Sequence, residues 1–127
     1  KKNIFRTKHY TWSLGGRIDG IHEDESTIIE IKNRVKRLFY SLRDYEKIQI
    51  YSYMFILDTH YSKLVECFKT GKECSINIID VPFDEAYWNS EVIVKIKSFI
   101  KTFEQFLKKD ESKINLIHYL IDNNFRL

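Results

Sequence analysis

Proline is nearly missing from this chain, with Pro82 the only one in 127 residues, and glycine occurs only four times. That scarcity excludes collagen-like, mucin-like and flexible-linker sequence. Two cysteines, Cys67 and Cys74, are too few for the disulfide framework of a small secreted domain. They are also too few for a zinc or iron–sulfur site without outside ligands. A bridge across the Thr70-Gly71-Lys72 turn is sterically conceivable, but free thiols are expected, which favours an intracellular setting, cytoplasm or nucleus. No apolar run approaches the roughly 20 residues that span a bilayer, and the start lacks the apolar stretch of a secretory signal, so no membrane partner is expected. The net charge of +3, from 21 basic and 18 acidic residues, is too small to name a partner. Met54 is the only methionine, so the chain is expected to be a fragment of a longer product.

What is present is enough for a core: 43% hydrophobic and 15% aromatic residues, which at this length suit one domain over 1–127. Residues 8 to 21 carry β-formers (Tyr10, Thr11, Trp12, Ile18, Ile21) broken by Gly15, Gly16 and Gly20, and predict a bent strand or strand pair. A polar turn from His22 to Ser26 leads into a strand from Thr27 to Lys32. From about Leu42 to Leu57 the pattern predicts a buried helix, with Tyr45, Ile48, Ser52 and Phe55 on one face and Gln49 and Tyr53 on another. Lys63 to Phe68 and Ser75 to Val81 flank the Thr70-Gly71-Lys72 turn as antiparallel strands. After Pro82, Asp84 and Glu85 suit a helix start, and Ile93, Ile96, Ile100, Phe103 and Leu107 mark a long amphipathic helix. Ile114, Ile117 and Ile121 predict a last helix that stops at Asn123-Asn124. The order β-β-β-α-β-β-α-α describes an α/β layer fold.

The chemistry gathers in the first hairpin. With its turn near residues 24 and 25, partner positions sum to about 49, which sets Asp19 opposite Glu30. Alternation places Glu30 and Lys32 on one face and Ile29 and Ile31 on the other, with the isoleucines expected in the core. Two facing carboxylates are unfavourable unless something cationic lies between them, and a hard divalent ion such as Mg²⁺ takes oxygen ligands of this kind. Lys32, on the same face, is placed to orient a water for attack. Each group also has an ordinary explanation: turn chemistry for Asp19-Gly20, a solvated strand face for Glu30 and Lys32, local hydrogen bonding for Gln49 and Tyr53, and a charged loop for Lys32, Arg34, Lys36 and Arg37. Of the four histidines, only His9 lies early enough in the chain to approach the site.

Gly16-Arg17-Ile18-Asp19-Gly20, the ten residues between Asp19 and Glu30, and Ile29-Glu30-Ile31-Lys32 resemble the D…E-x-K core of the PD-(D/E)XK nuclease superfamily. Gln49-Ile50-Tyr51-Ser52-Tyr53 is similar to the Q-x-x-x-Y helix motif of its RecB-type and lambda-exonuclease-like branch, and the resemblance extends over residues 8 to 108. It implies a restriction-endonuclease-like core, a mixed β-sheet flanked by helices. It also implies Mg²⁺- or Mn²⁺-dependent hydrolysis of phosphodiester bonds, in DNA more than RNA, by an exonuclease within a replication, recombination or repair protein with further domains or subunits. Asp19, Glu30 and the backbone carbonyl of Ile31 would be the metal ligands, and Lys32 would position the water. Gln49, Tyr53, Arg34, Lys36, Arg37 and Arg43 would face substrate. Family members generally carry a helix ahead of this core, and none is apparent before His9. The competing expectation is a non-catalytic nucleic-acid-binding module that keeps the nuclease fold. Abundant lysine, isoleucine and asparagine suit an AT-rich genome, a viral one included.

Overall fold

The structure is a computed structural model that describes residues 1–24 and 26–124. The chain divides into two compact units, Lys1–Trp88 and Asn89–Leu127.

In the first unit, β1 (Lys2–Arg6) and β2 (Thr11–Leu14) form a two-stranded antiparallel sheet. Then come β3 (Gly20–Ile21), β4 (Thr27–Arg34), α1 (Asp44–Leu57), β5 (Tyr61–Thr70), β6 (Glu73–Asp80) and the short α2 (Glu85–Tyr87). The second sheet has the order β3-β4-β5-β6 and is mixed: β4 and β5 are parallel, joined through α1, and the other pairs are antiparallel. A parallel pair needs such a crossover, and α1 supplies it. The expected strand pair over 8–21 is thus divided between two sheets, and β1 is a strand the residue pattern did not announce.

The β5–β6 hairpin turns at Gly71, whose φ of 62° is a conformation that favours glycine. Asp44 and Glu46 place negative charge in the first turn of α1, and the Arg43 N–H donates to Glu46 Oε2 at 3.1 Å. Asp58 ends the helix in the left-handed region.

Two expectations about faces are overturned. In β4 the covered residues are Ile28 and Glu30, whereas Ile29 is only half-buried and Ile31 is 45% exposed. The isoleucines expected in the core are on the outer face, because α1 lies over the even-numbered side: Lys32 and Arg34 hydrogen-bond to Gln49 and Glu46 of that helix. Ser62, Leu64 and Glu66 of β5 continue the same covered face. On α1 the buried residues are Glu46, Ile50, Tyr51 and Met54, while Tyr45 and Ile48 are exposed. The helix, expected to be buried nearly all round, therefore covers chiefly its 46-50-54 stripe and leaves Tyr45 and Ile48 of the face they share with Ser52 and Phe55 in solvent. Elsewhere on it, Phe55 stacks on Trp88 at 4.8 Å and Tyr51 meets Phe83 edge-on at 5.3 Å.

A π-type turn over Trp88–Val92 precedes α3 (Ile93–Leu107) and α4 (Asp110–Asp122). Ile93, Ile96, Ile100, Phe103 and Leu107 form the protected side of α3, as their spacing predicts. In α4 the protected positions are Ser112, Leu116 and Leu120, and Ile114, Ile117 and Ile121 are exposed instead. Among the described residues, no helix is long and apolar enough to cross a membrane. Both cysteines are free thiols.

Candidate active site

The β3–β4 ladder has the expected register, Gly20 opposite Ile29 and Ile21 opposite Ile28, and it stops just short of Asp19. The His22 N–H bonds to the Thr27 carbonyl at 2.8 Å. By the two-residue alternation of an antiparallel pair, the next hydrogen-bonded positions along β4 are Ile29 and Ile31. At Ile31 the partner strand has already parted, and the Asp19 side chain takes its place: Oδ2 accepts the Ile31 N–H at 2.8 Å. Within a strand, one residue's N–H and C=O point to the same edge, so the Ile31 carbonyl emerges on the side where Asp19 is anchored.

Glu30, on the covered face, is almost wholly enclosed, with its side chain 4% exposed. Its Oε1 accepts from Lys32 Nζ at 2.9 Å, while its Oε2 is buried and has no hydrogen-bond partner among the described residues. Lys32 Nζ also donates to Gln49 Oε1 at 2.8 Å, and Gln49 Nε2 donates to the Tyr53 hydroxyl at 2.8 Å. Helix spacing puts Gln49 and Tyr53 four apart on one side of α1, and the sheet meets that side. Gly16 lets the chain pass close to this group: a Cβ on it would lie 2.9 Å from Cδ1 of the Tyr53 ring. Asp19, Glu30, Ile31, Lys32, Gln49 and Tyr53 thus converge, with Glu30 buried on the side opposite the one where the core was expected.

Two carboxylates and one ammonium leave a negative charge uncompensated here. An unpartnered buried carboxylate oxygen costs desolvation energy and marks a position where a cation fits. Among the described residues no three His, Cys, Asp or Glu side chains cluster as a metal set. A divalent ion here would be held by two carboxylates, the Ile31 carbonyl and water, a hard oxygen set that suits Mg²⁺ or Mn²⁺.

Arg34 is not a substrate contact. It lies inside β4, its side chain is 6% exposed, and it sits between two buried glutamates. Nη1 and Nη2 donate to Glu46 at 2.6 and 3.2 Å, and Nε donates to Glu66 at 2.9 Å. The Glu46 hydrogen bonds raise the affinity of the guanidinium for its proton above the ordinary arginine value, against the effect of burial. For Glu66, burial works to raise the pKa, but hydrogen bonds from Asn77, the Phe39 and Tyr40 amides and Arg34 together hold it below the usual glutamate value. Lys36, Arg37 and Arg43 are exposed, with the Arg43 and Arg37 guanidinium groups over the Phe39 ring at 4.4 and 5.7 Å. His9 lies exposed between β1 and β2, its ring against Tyr10.

Residue reasoning did not single out Glu46, Glu66 or Asn77. One signal was present: Glu30, Lys32 and Arg34 share one strand face by alternation, so whatever Glu30 and Lys32 face, Arg34 faces too. Compared with protein-family models, curated proteins and solved structures, the chain matches none.

Proposed function

We propose that this chain is a metal-dependent nuclease domain that hydrolyses phosphodiester bonds, in DNA more than RNA. The observation that carries the reading is the buried, unpartnered Oε2 of Glu30 beside a lysine and a glutamine that are already mutually oriented. Asp19, Glu30 and the Ile31 carbonyl would hold Mg²⁺ or Mn²⁺. When bound, the ion supplies charge stabilisation at the phosphate and lowers the pKa of an attacking water.

The rest is done by the chain's own groups. Lys32 spends two N–H donors on Glu30 and Gln49, which leaves the third for a substrate or water oxygen. Its fixed positive charge stabilises the negative charge that builds on the phosphoryl oxygens during displacement. Because the Tyr53 oxygen accepts from Gln49, its own proton is left to donate to a phosphate. Donation runs outward from Lys32, to Glu30 on one side and through Gln49 to Tyr53 on the other, which fixes where each proton points before substrate arrives. Exposed Lys36, Arg37 and Arg43 would neutralise the flanking phosphates.

The test is cleavage of end-labelled single- and double-stranded DNA in Mn²⁺. Wild-type protein should degrade it, and Glu30→Gln, Asp19→Asn and Lys32→Ala should each remove the activity while the protein still folds. Undiminished cleavage in Glu30→Gln overturns the assignment. Salt-sensitive binding with no cleavage in wild type selects the non-catalytic module.

A further inference from the structure

The segment from Val35 to Arg43 crosses from the end of β4 to the start of α1, and one buried carboxylate holds its middle. Glu66 accepts the backbone N–H groups of both Phe39 and Tyr40 at 3.0 Å, while Arg34 and Asn77 occupy its oxygens from other sides. The Phe39 ring is covered by the guanidinium groups of Arg34 at 4.0 Å and Arg43 at 4.4 Å. So the segment is rigid at its centre, although it has no regular secondary structure.

Tyr40 has a φ of 55°, in the left-handed region where a side chain is unfavourable and glycine is not. The two other non-glycine residues with positive φ among the described residues, Asp58 and Asn124, follow the ends of helices, where this conformation is a common terminator. Tyr40 terminates nothing. The residue is 71% exposed, in a segment whose Lys36, Arg37 and Arg43 are exposed as well. A large ring kept in an unfavourable backbone state by a buried polar network, and offered to solvent among cations, is arranged for contact and not for folding. The segment leaves β4 two residues past Lys32, at the carboxyl end of a parallel strand, which is where α/β sheets place their ligands.

We propose that Tyr40 is a stacking residue that takes one nucleobase of a single-stranded segment of bound nucleic acid on its ring, while Lys36, Arg37 and Arg43 hold the adjoining phosphates. The nature of the ligand rests on the nuclease reading, to which this adds the substrate class: a strand whose base is unpaired at this point. An exposed aromatic ring can stack only on a base whose face is free, and a duplex interior offers none.

The experiment uses the full chain with Ca²⁺ in place of Mn²⁺. Fluorescence anisotropy is read on a single-stranded oligonucleotide and its duplex, together with quenching of 2-aminopurine placed along the single strand, for wild type, Tyr40→Phe, Tyr40→Leu and Tyr40→Gly. Tyr40→Gly should melt no lower than wild type, since glycine tolerates the backbone, yet bind the single strand about five- to a hundredfold more weakly. Tyr40→Leu should weaken single-strand binding over the same range and abolish the quenching, Tyr40→Phe should retain both, and duplex affinity should not change. The proposal is overturned if Tyr40→Leu binds the single strand like wild type, if single-strand and duplex affinity fall together, or if wild type binds neither. Mn²⁺ cleavage assays on the same proteins separate the two readings. Glu30-dependent cleavage with no role for Tyr40 in binding overturns the stacking residue alone, whereas Tyr40-dependent binding without cleavage upholds it and overturns the nuclease.

Discussion

Arg34 and Glu46 form a two-pronged ion pair between β4 and α1, Nη1 to Oε1 at 2.6 Å and Nη2 to Oε2 at 3.2 Å, with both side chains buried. Arg34 is two residues beyond Lys32 and Glu46 is three residues before Gln49. The pair therefore pins strand and helix in the register in which Lys32 meets Gln49. A planar guanidinium is suited to this because its fork engages both carboxylate oxygens at once.

Removing that cation strands two carboxylates in the interior. Arg34→Met should cost about 3–5 kcal/mol by urea unfolding, and Arg34→Lys should recover only part, since an ammonium lacks the fork. Lys36→Ala, Arg37→Ala and Arg43→Ala together should leave stability near wild type and flatten the slope of log affinity against log salt by roughly one to three units. A wild-type slope in that triple variant would show that these cations only solvate the loop.

Glu66 gives the fold an acid limit. Its folded pKa lies below the ordinary glutamate value of 4.5, so its contribution is complete above that value and is lost as pH falls through the lower folded value. Melting temperature should fall as the medium is acidified below about pH 4.5. Glu66→Gln should be less stable at neutral pH and show a shallower fall over the acid range, and parallel curves for the two proteins would assign the acid sensitivity elsewhere.

Binding that favours the native state raises stability by about 2.7 kcal/mol at a hundredfold excess of ligand over its dissociation constant. Wild-type protein should therefore melt higher in Mn²⁺, with a much smaller gain in Asp19→Asn and Glu30→Gln. Equal gains in all three proteins would put the ion at another position.

Gly16 and Tyr53 are coupled through space. A Cβ at Gly16 would press on the Tyr53 ring, so Gly16→Ala should cost about 1–3 kcal/mol by displacing it, and the cost should shrink in a Tyr53→Ala background. Additive effects of the two substitutions would show that the ring gives way freely.

Much of the candidate site is local in sequence. Turn length and the two-residue period of a strand are enough to bring Asp19 to the Glu30–Ile31 end of the hairpin, and the four-residue spacing of a helix is enough to align Gln49 with Tyr53. A strand's alternation has a period but no sign, however: it says that Ile29 and Ile31 oppose Glu30 and Lys32, and not which side is covered. That was decided by α1, whose crossover between parallel strands lies over the even-numbered side and so encloses Glu30, Lys32 and Arg34 while the isoleucines face outward. The same long-range pairing sets Glu66 beside Lys32 and Asn77 in the sheet and under the Phe39 and Tyr40 amides. The partners of a buried charge depend on which distant segments meet, and that is settled by strand register and helix placement, not by the residues on either side of it in the chain.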